Sequence, residues 1–376
     1  MALTRRRFVE ALGATGVTAL AHRPAFAQGG APAPAPPAEA ALIRLDQNEN
    51  PYGPGPRVVK AMVDAMSRGH RYPYSATAEL RDAVAALHGV ARDSVLLSAG
   101  SGELLRSSVL AFVDGKRALV AGLPTFEACT STAEAMGYPV RAIPIDGALR
   151  LDLPAMEAAA SGAGLVFFCN PNNPTGTTWP TRDLEAMIDR LAASSPDTVI
   201  LVDEAYAQFV ERDDYKSLAT RAARDKRVFV TRTFSKAFGL AGMRVGYAIG
   251  HPDTIATLRR VTTSGQIPVT SSAAALAALR DEGLIHSAIL QNKTARASAS
   301  RVFEEMGFKV FPSDANFILV DVRRPAADFQ AACREQGVLV GRPFAGLKTH
   351  SRISFGTPEE MRRAATVFKA VLSRPA

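Results

Sequence analysis

The sequence predicts an α/β protein, with a large domain built on a mostly parallel sheet between helices, followed by a smaller α+β domain. Two observations carry this prediction. From about residue 92, short apolar runs alternate with helical patterns, and the runs are apolar at nearly every position. Strands of that kind are buried on both faces, as in a parallel sheet covered by helices. Beyond about residue 280 the alternation gives way to one long helical stretch and several shorter strand-like runs. A chain of 376 residues is long enough for two such domains.

The first set of runs is Val95–Ser98, Ala118–Ala121, Leu165–Phe168, Val199–Val202, Val228–Val230 and Val245–Ile249. Between them, Thr181–Ala193 shows a helical stripe of Leu184, Ile188 and Leu191, with Thr181 placed to cap it. In the second part, Asp281–Met306 reads as a helix, Lys309–Phe311 and Asn316–Val320 as strands, Ala326–Glu335 as a helix and Ser351–Phe355 as a strand. Thr357-Pro358-Glu359-Glu360 has the capping-box pair, with proline at the first helical position.

The first 27 residues read as an export segment: Arg5-Arg6-Arg7-Phe8 is a twin-arginine pattern, Ala11–Ala21 a weakly apolar stretch, and Ala25-Phe26-Ala27 a cleavage site. The stretch is too short and too rich in Gly and Thr for a stable membrane span. The expectation is export by the twin-arginine route to the periplasm; the bland alternative is a basic disordered tail on a cytoplasmic protein. Residues 28–40 form a Pro/Ala-rich linker. Residues 41–70 are assigned to an N-terminal arm, 71–270 to the large domain and 271–376 to the small one. Residues 1–27 carry four arginines and one glutamate, so the net charge of +8 falls to +5 without them. That modest excess, without basic runs, argues against a nucleic-acid partner. Three cysteines make no disulfide framework, Cys169 reads as a buried thiol, and no His/Cys cluster has metal-ligand spacing.

The chemistry centres on Lys236, in Thr231-Arg232-Thr233-Phe234-Ser235-Lys236-Ala237-Phe238-Gly239. A lysine approached by an apolar strand loses solvation, which lowers its pKa and frees the amine to condense with an aldehyde. Ser235 and Arg244 suit a phosphate on the same ligand, so the ligand class is an aldehyde that carries a phosphate: pyridoxal 5′-phosphate (PLP). Asp203, at the end of the Val199–Val202 run and 33 residues before Lys236, stands where parallel sheets bind ligands; a helix-capping aspartate is the bland alternative. Opposite a pyridine nitrogen it would keep that nitrogen protonated. In Asn170-Pro171-Asn172-Asn173-Pro174-Thr175-Gly176 a strand-end asparagine, like Tyr206, can donate to a phenolate oxygen, although the same run also reads as a simple turn. Ala99-Gly100-Ser101-Gly102-Glu103 opens a helix whose N–H groups suit a phosphate. Phe126 can stack on a flat ring or belong to the core.

Eight segments in order carry a resemblance that covers nearly everything from Leu45 to Leu372. They are Asp46-Gln47-Asn48-Glu49-Asn50-Pro51-Tyr52-Gly53-Pro54, Arg71-Tyr72-Pro73, the turn at Gly100, the run from Asn170, Asp203-Glu204-Ala205-Tyr206, the lysine segment, Ser313-Asp314-Ala315-Asn316-Phe317-Ile318-Leu319 and Arg352-Ile353-Ser354-Phe355-Gly356-Thr357. The chain resembles the class I/II, fold-type I PLP-dependent aminotransferases, and among them the histidinol-phosphate aminotransferase branch. The resemblance implies that Lys236 carries PLP and shuttles a proton, that Asp203 pairs with the ring nitrogen, and that Asn173 and Tyr206 hold the ring oxygen. It implies that Phe126 stacks on the ring, and that Ser101, Gly102, Ser235 and Arg244 hold the phosphate with Tyr72 of a second subunit, hence a homodimer with shared sites. Arg352 would clamp a substrate carboxylate or phosphate, with Tyr52 and Arg342 near the substrate's far end; Arg342 also reads as a surface arginine. The implied reaction moves an amino group between a small-molecule amino donor and an oxo acceptor in two half-reactions. One departure is Gly102, where the branch often has an acidic residue, with Glu103 behind it. The export segment is the other, because histidine biosynthesis is cytoplasmic. Another PLP enzyme of this fold (a decarboxylase, lyase, oxidase or acyl-condensing synthase) would keep the same core residues. A solute-binding protein of the export space would not need Lys236, and a PLP-responsive gene regulator would need a DNA-binding module that residues 1–40 do not offer.

Overall fold

The computed structural model describes residues 42–263 and 267–373. The expected export segment and linker lie outside the described residues. In chain order the elements begin with β1 (Ile43–Leu45), α1 (Gly55–Met66), α2 (Tyr74–His88), β2 (Val95–Ser98), α3 (Ser101–Phe112), β3 (Leu119–Leu123), α4 (Ala128–Ala135) and β4 (Val140–Pro144). They continue with α5 (Leu153–Ala158), β5 (Leu165–Cys169), α6 (Thr181–Ser194), β6 (Val199–Asp203), α7 (Ala219–Ala222), β7 (Val228–Thr233), β8 (Gly246–Gly250), α8 (Pro252–Arg259) and α9 (Val269–Leu279). The last are α10 (Glu282–Glu305), β9 (Lys309–Phe311), β10 (Phe317–Asp321), α11 (Ala326–Glu335), β11 (Val338–Val340), β12 (His350–Ser354) and α12 (Pro358–Leu372).

Seven strands form the main sheet in the order β2-β8-β7-β6-β5-β3-β4. Only β8 runs antiparallel to its neighbours, so the sheet is mostly parallel, as the continuous apolar runs predict. Its two faces hold separate cores. Val166, Phe168, Ile200, Val202, Val228 and Val230 pack on one side. Leu165, Phe167, Cys169, Leu201 and Phe229 pack on the other. The exposed strand missed by the sequence reading is β4, an edge strand with a half-polar pattern.

A three-stranded antiparallel sheet, β12-β10-β9, and a parallel pair, β1-β11, make the second part. Their core joins Ile43, Leu45, Ile318, Val320, Val338 and Ile353 to Phe303, Phe329 and Phe368 of α10, α11 and α12. The segment before residue 71 divides between cores: Ile43 and Leu45 enter this one, and Val58 of α1 enters that of the large sheet. Helix α9, which the sequence division cuts at residue 270, also packs into the large-sheet core through Ala274, Ala275 and Ala278.

Local chemistry explains the helix ends. Thr357 Oγ1 accepts from the Glu360 N–H while the Glu360 side chain accepts from the Thr357 N–H, so the expected capping box is present. Thr181 is a correction. It is the first residue of α6, not its cap, and its hydroxyl donates instead to the Lys216 carbonyl at 2.7 Å.

One ion pair is deeply buried beneath the sheet's carboxyl edge: Arg232 Nε donates to Glu204 Oε2 at 2.8 Å. Glu204 also accepts from the Ser217 hydroxyl at 2.6 Å and the Leu218 N–H at 2.8 Å, so its desolvation is compensated. Arg232→Ala leaves that carboxylate unpaired and is expected to cost about 3–5 kcal/mol. Removing Lys60 from its exposed pair with Asp64 should cost only about 0.3 kcal/mol. Urea denaturation midpoints of the two variants check the contrast.

Candidate active site

A cleft of about 510 Å³ opens above the carboxyl ends of the parallel strands. Its floor is set by register. Cys169 of β5 pairs with Asp203 of β6, and Asp203 pairs with Thr231 of β7. Side chains alternate along a strand, so the three share the face of Leu201 and Phe229. Lys236 lies three residues beyond the end of β7, which brings it to the same cleft as Asp203. The expected arrangement from neighbouring strand ends is therefore present.

Asp203 is buried, and its Oδ1 accepts from the Thr231 hydroxyl at 2.9 Å. Burial raises its pKa to about 6, while Thr231, the Ala205 N–H and Lys236 oppose the rise. Lys236 is partly accessible through the cleft, yet protein surrounds its amine, which donates to the Gln47 carbonyl at 3.0 Å. Desolvation, followed by Arg352 and Arg244, lowers its pKa to about 8. Tyr206 is buried with its ring 5.8 Å from the Lys236 amine, and burial drives its phenol pKa upward.

The phosphate-binding candidates meet on one side. Ser101 and Gly102 start α3, which no side chain caps, and both line the cleft beside Ser235 and Arg244. Arg244 Nη1 reaches Ser235 Oγ at 3.4 Å and the Ala241 carbonyl at 2.8 Å. Two glycines make the close packing feasible. A Cβ on Gly100, whose φ is +83°, would lie 2.3 Å from Arg244 Nη2, and one on Gly246 would lie 2.3 Å from the Ser101 nitrogen. Glu103 is turned away onto backbone, accepting from the N–H groups of Ala99 at 2.7 Å and Thr263 at 3.0 Å. It braces the loop and does not take the place of an acidic residue at Gly102.

Arg352 is buried and donates to Asn173 Oδ1 at 2.7 Å and to the Asp46 carbonyl, while its Nε has no hydrogen-bond partner among the described residues. Burial lowers its pKa. Phe126 and Arg342 also line the cleft. Arg342 pairs with Glu127 and lies over the Phe344 ring at 4.5 Å. Tyr52 is not brought to this cleft, and Tyr72, expected from a second subunit, does not line the cleft of its own chain. Tyr52 lines a neighbouring recess with Phe209 and Asn292. Tyr72 is 79% exposed and stacks on Tyr74 at 5.8 Å. Three contacts were missed: Gln47 to Lys236, Thr231 to Asp203, and Asn48 to Tyr206 at 2.9 Å. The Thr231 contact had a signal in the 28 residues separating it from Asp203, one crossover between adjacent parallel strands.

The family model described as aminotransferase class I and II matches residues 40–368. The chain belongs to the class I and II aminotransferases. It is 39% identical over 335 residues to a histidinol-phosphate aminotransferase of Symbiobacterium thermophilum, covering 88% of this chain and 91% of that protein. A histidinol-phosphate aminotransferase of Mesorhizobium japonicum is 36% identical over 328 residues, covering 86% and 88%. The structure of histidinol-phosphate aminotransferase from Sinorhizobium meliloti in complex with pyridoxal-5′-phosphate superposes with a TM-score of 0.81 at 28% identity, covering 88% of this chain and 90% of that one. The aminotransferase is thus a PLP-dependent transaminase of the expected fold.

The residues of the cleft fit that cofactor: a desolvated amine, a buried carboxylate, an uncapped helix start pressed against an arginine, and an unpartnered guanidinium nitrogen. With Lys236 at about 8, the amine becomes nucleophilic above that pH instead of near its ordinary 10.5. The rate of colour development on adding PLP to cofactor-free aminotransferase should rise with pH to a plateau with its midpoint near 8. A midpoint above about 10 would show an ordinary solvated lysine.

Proposed function

We propose that the aminotransferase moves an amino group between an amine or amino acid bearing an anionic group and a 2-oxo acid, in two half-reactions. Histidinol phosphate is the first donor to test. The observation that carries this reading is the convergence of Lys236, Asp203 and Arg352 on one cleft. The names of its relatives support the donor class.

In this reading Lys236 holds the cofactor covalently, Asp203 faces the ring nitrogen, and Asn173 and Tyr206 donate to the ring oxygen. Because Asn173 Oδ1 already accepts from Arg352, its amide N–H groups are the ones left to give. Phe126 covers the ring, and Ser101, Gly102, Ser235 and Arg244 hold the phosphate. When bound, PLP supplies the electron sink for the pair released as a proton leaves the donor's Cα. The Lys236 amine, freed by the donor, takes that proton and returns it to the cofactor's carbon. Its lowered pKa keeps a useful fraction of free base near neutral pH. Asp203 remains largely ionised above about pH 6 and so holds the ring nitrogen's proton. Arg352 exchanges its contact with the Asp46 carbonyl for the donor's anionic group and keeps that with Asn173, with Arg342 nearer the cleft mouth.

The proposal includes a homodimer in which Tyr72 of a second copy completes the phosphate site. Its support is the exposed apolar face of α1, with Val59, Val63 and Met66, continued by Tyr72 and Tyr74. It includes export by the twin-arginine route, supported by the sequence of residues 4–27.

Lys236→Ala should lower turnover by at least about a thousandfold, and Asp203→Asn by about a hundredfold. Steady-state assays check both, and near-normal turnover of Lys236→Ala overturns the reading. A panel of histidinol phosphate, histidine, aromatic amino acids, arginine and glutamate, followed by loss of the cofactor's visible absorbance and formation of pyridoxamine phosphate, tests the donor. A decarboxylase or lyase would consume donor without accumulating pyridoxamine phosphate.

A further inference from the structure

A phenol has one proton and can give it in one direction, so a donor role for Tyr206 requires that the direction be fixed. The structure holds a chain of contacts that fixes it. Asn48 is buried, with φ of +54°, a left-handed conformation that asparagine tolerates better than most residues. Its N–H donates to Ser354 Oγ at 2.9 Å, and the Ser354 hydroxyl donates back to Asn48 Oδ1 at 2.8 Å. Asn316 Nδ2 donates to the Asn48 carbonyl at 2.9 Å. With its backbone anchored and its amide oxygen held by Ser354, Asn48 presents its NH₂ group to Tyr206, and Nδ2 donates to Tyr206 Oη at 2.9 Å.

An amide nitrogen cannot accept a hydrogen bond. Tyr206 Oη is therefore the acceptor on the Asn48 side, and its own proton is left for another partner. The charged or titratable groups about Tyr206 are Arg352, Cys169, Asp203 and Lys236. Among the described residues none of them is hydrogen-bonded to Oη. Phe317 meets the Tyr206 ring edge-on at 5.3 Å and restrains its swing, while the tyrosine itself lines the cleft.

We propose that Asn48 is a positioning residue: it fills the acceptor side of Tyr206, so that the phenol's proton is presented to the cleft and onto the cofactor's ring oxygen. The inference rests on the reading of this cleft as the cofactor site. It assigns Asn48 a role separable from holding the arm in place. Asn48→Asp is nearly isosteric, tolerates the same backbone conformation, and still offers an oxygen to Ser354. It replaces the N–H donor facing Tyr206 with an acceptor that draws the phenol's proton away from the cleft, and it adds one negative charge.

The test compares PLP-loaded wild type, Asn48→Asp, Tyr206→Phe and the double variant by the pH midpoint of the bound cofactor's spectral transition. Losing a donor makes the ring oxygen more basic, so the Asn48→Asp midpoint should rise by about one pH unit. In the Tyr206→Phe background, less than half of that shift should remain, because only the added charge is left. Equal shifts in the two backgrounds would mean that charge alone acts, and no shift would mean that Asn48 does not direct the proton; either result overturns the proposal. If Asn48→Asp does not retain cofactor, Asn48→Ala takes its place. It should raise the midpoint beside Tyr206 and leave it unmoved in the Tyr206→Phe background, and the reverse overturns the proposal. A wild-type protein that develops no bound-cofactor absorbance would instead sink the reading of the cleft.

Discussion

A carboxylate and an amine, each stripped of most of its water, share the carboxyl end of one parallel sheet. Burial makes Asp203 harder to ionise and Lys236 easier to neutralise. Register enforces this: Asp203 stands between Cys169 and Thr231 on one rung, with apolar side chains below it. Under the proposed reading the cofactor relieves both strains. Asp203 would gain a cationic partner in its ring nitrogen, and Lys236 would hold the cofactor covalently through the amine that burial makes easier to neutralise. The same rung explains why Glu204, one residue on, cannot serve in place of Asp203. It is buried with Arg232 and is already saturated with donors.

The segment 46–48 is the second organising feature. Three consecutive residues touch three of the proposed working side chains: the Asp46 carbonyl accepts from Arg352, the Gln47 carbonyl from Lys236, and Asn48 Nδ2 donates to Tyr206. The arm is pinned nearby, where a Cβ on Gly239 would lie 2.4 Å from the Gly53 carbonyl oxygen. Asn50 Nδ2 also donates to the Ala237 carbonyl at 3.1 Å. Backbone carbonyls that occupy Lys236 and Arg352 can yield to ligands without a side chain having to leave the site. The Asn48 contact runs the other way, as a donor, and need not be broken for Tyr206 to act.

Most of the large sheet was legible because a parallel sheet writes itself as continuous apolar runs between helices. Edge strand β4 escaped because its alternation is half polar, and β1 and β11 because each is three residues long and pairs with a segment about 300 residues away. The capping box of α12 was legible from four residues, whereas Thr181 shows that a good capping residue at a helix start need not cap when a nearby carbonyl competes for its hydroxyl. In the cleft, the residues that carry charge or form bonds were readable by type and spacing. Their partners were not. Thr231 depends on strand register, and Asn48 and Gln47 reach the cleft from roughly 160–190 positions away in sequence, a closure no local pattern encodes. Tyr52 lines a recess beside the cleft, not the cleft itself, and the role expected of Tyr72 is one in a second subunit's site.

The central claim is covalent: the amine of Lys236 takes up PLP in this cleft. Its most direct measurement is borohydride reduction of the PLP-incubated protein followed by peptide mapping. The account predicts one reduced adduct, on the peptide containing Lys236, with Lys226 and the other lysines unlabelled. A label spread over several lysines, or placed on one other than Lys236, would contradict it.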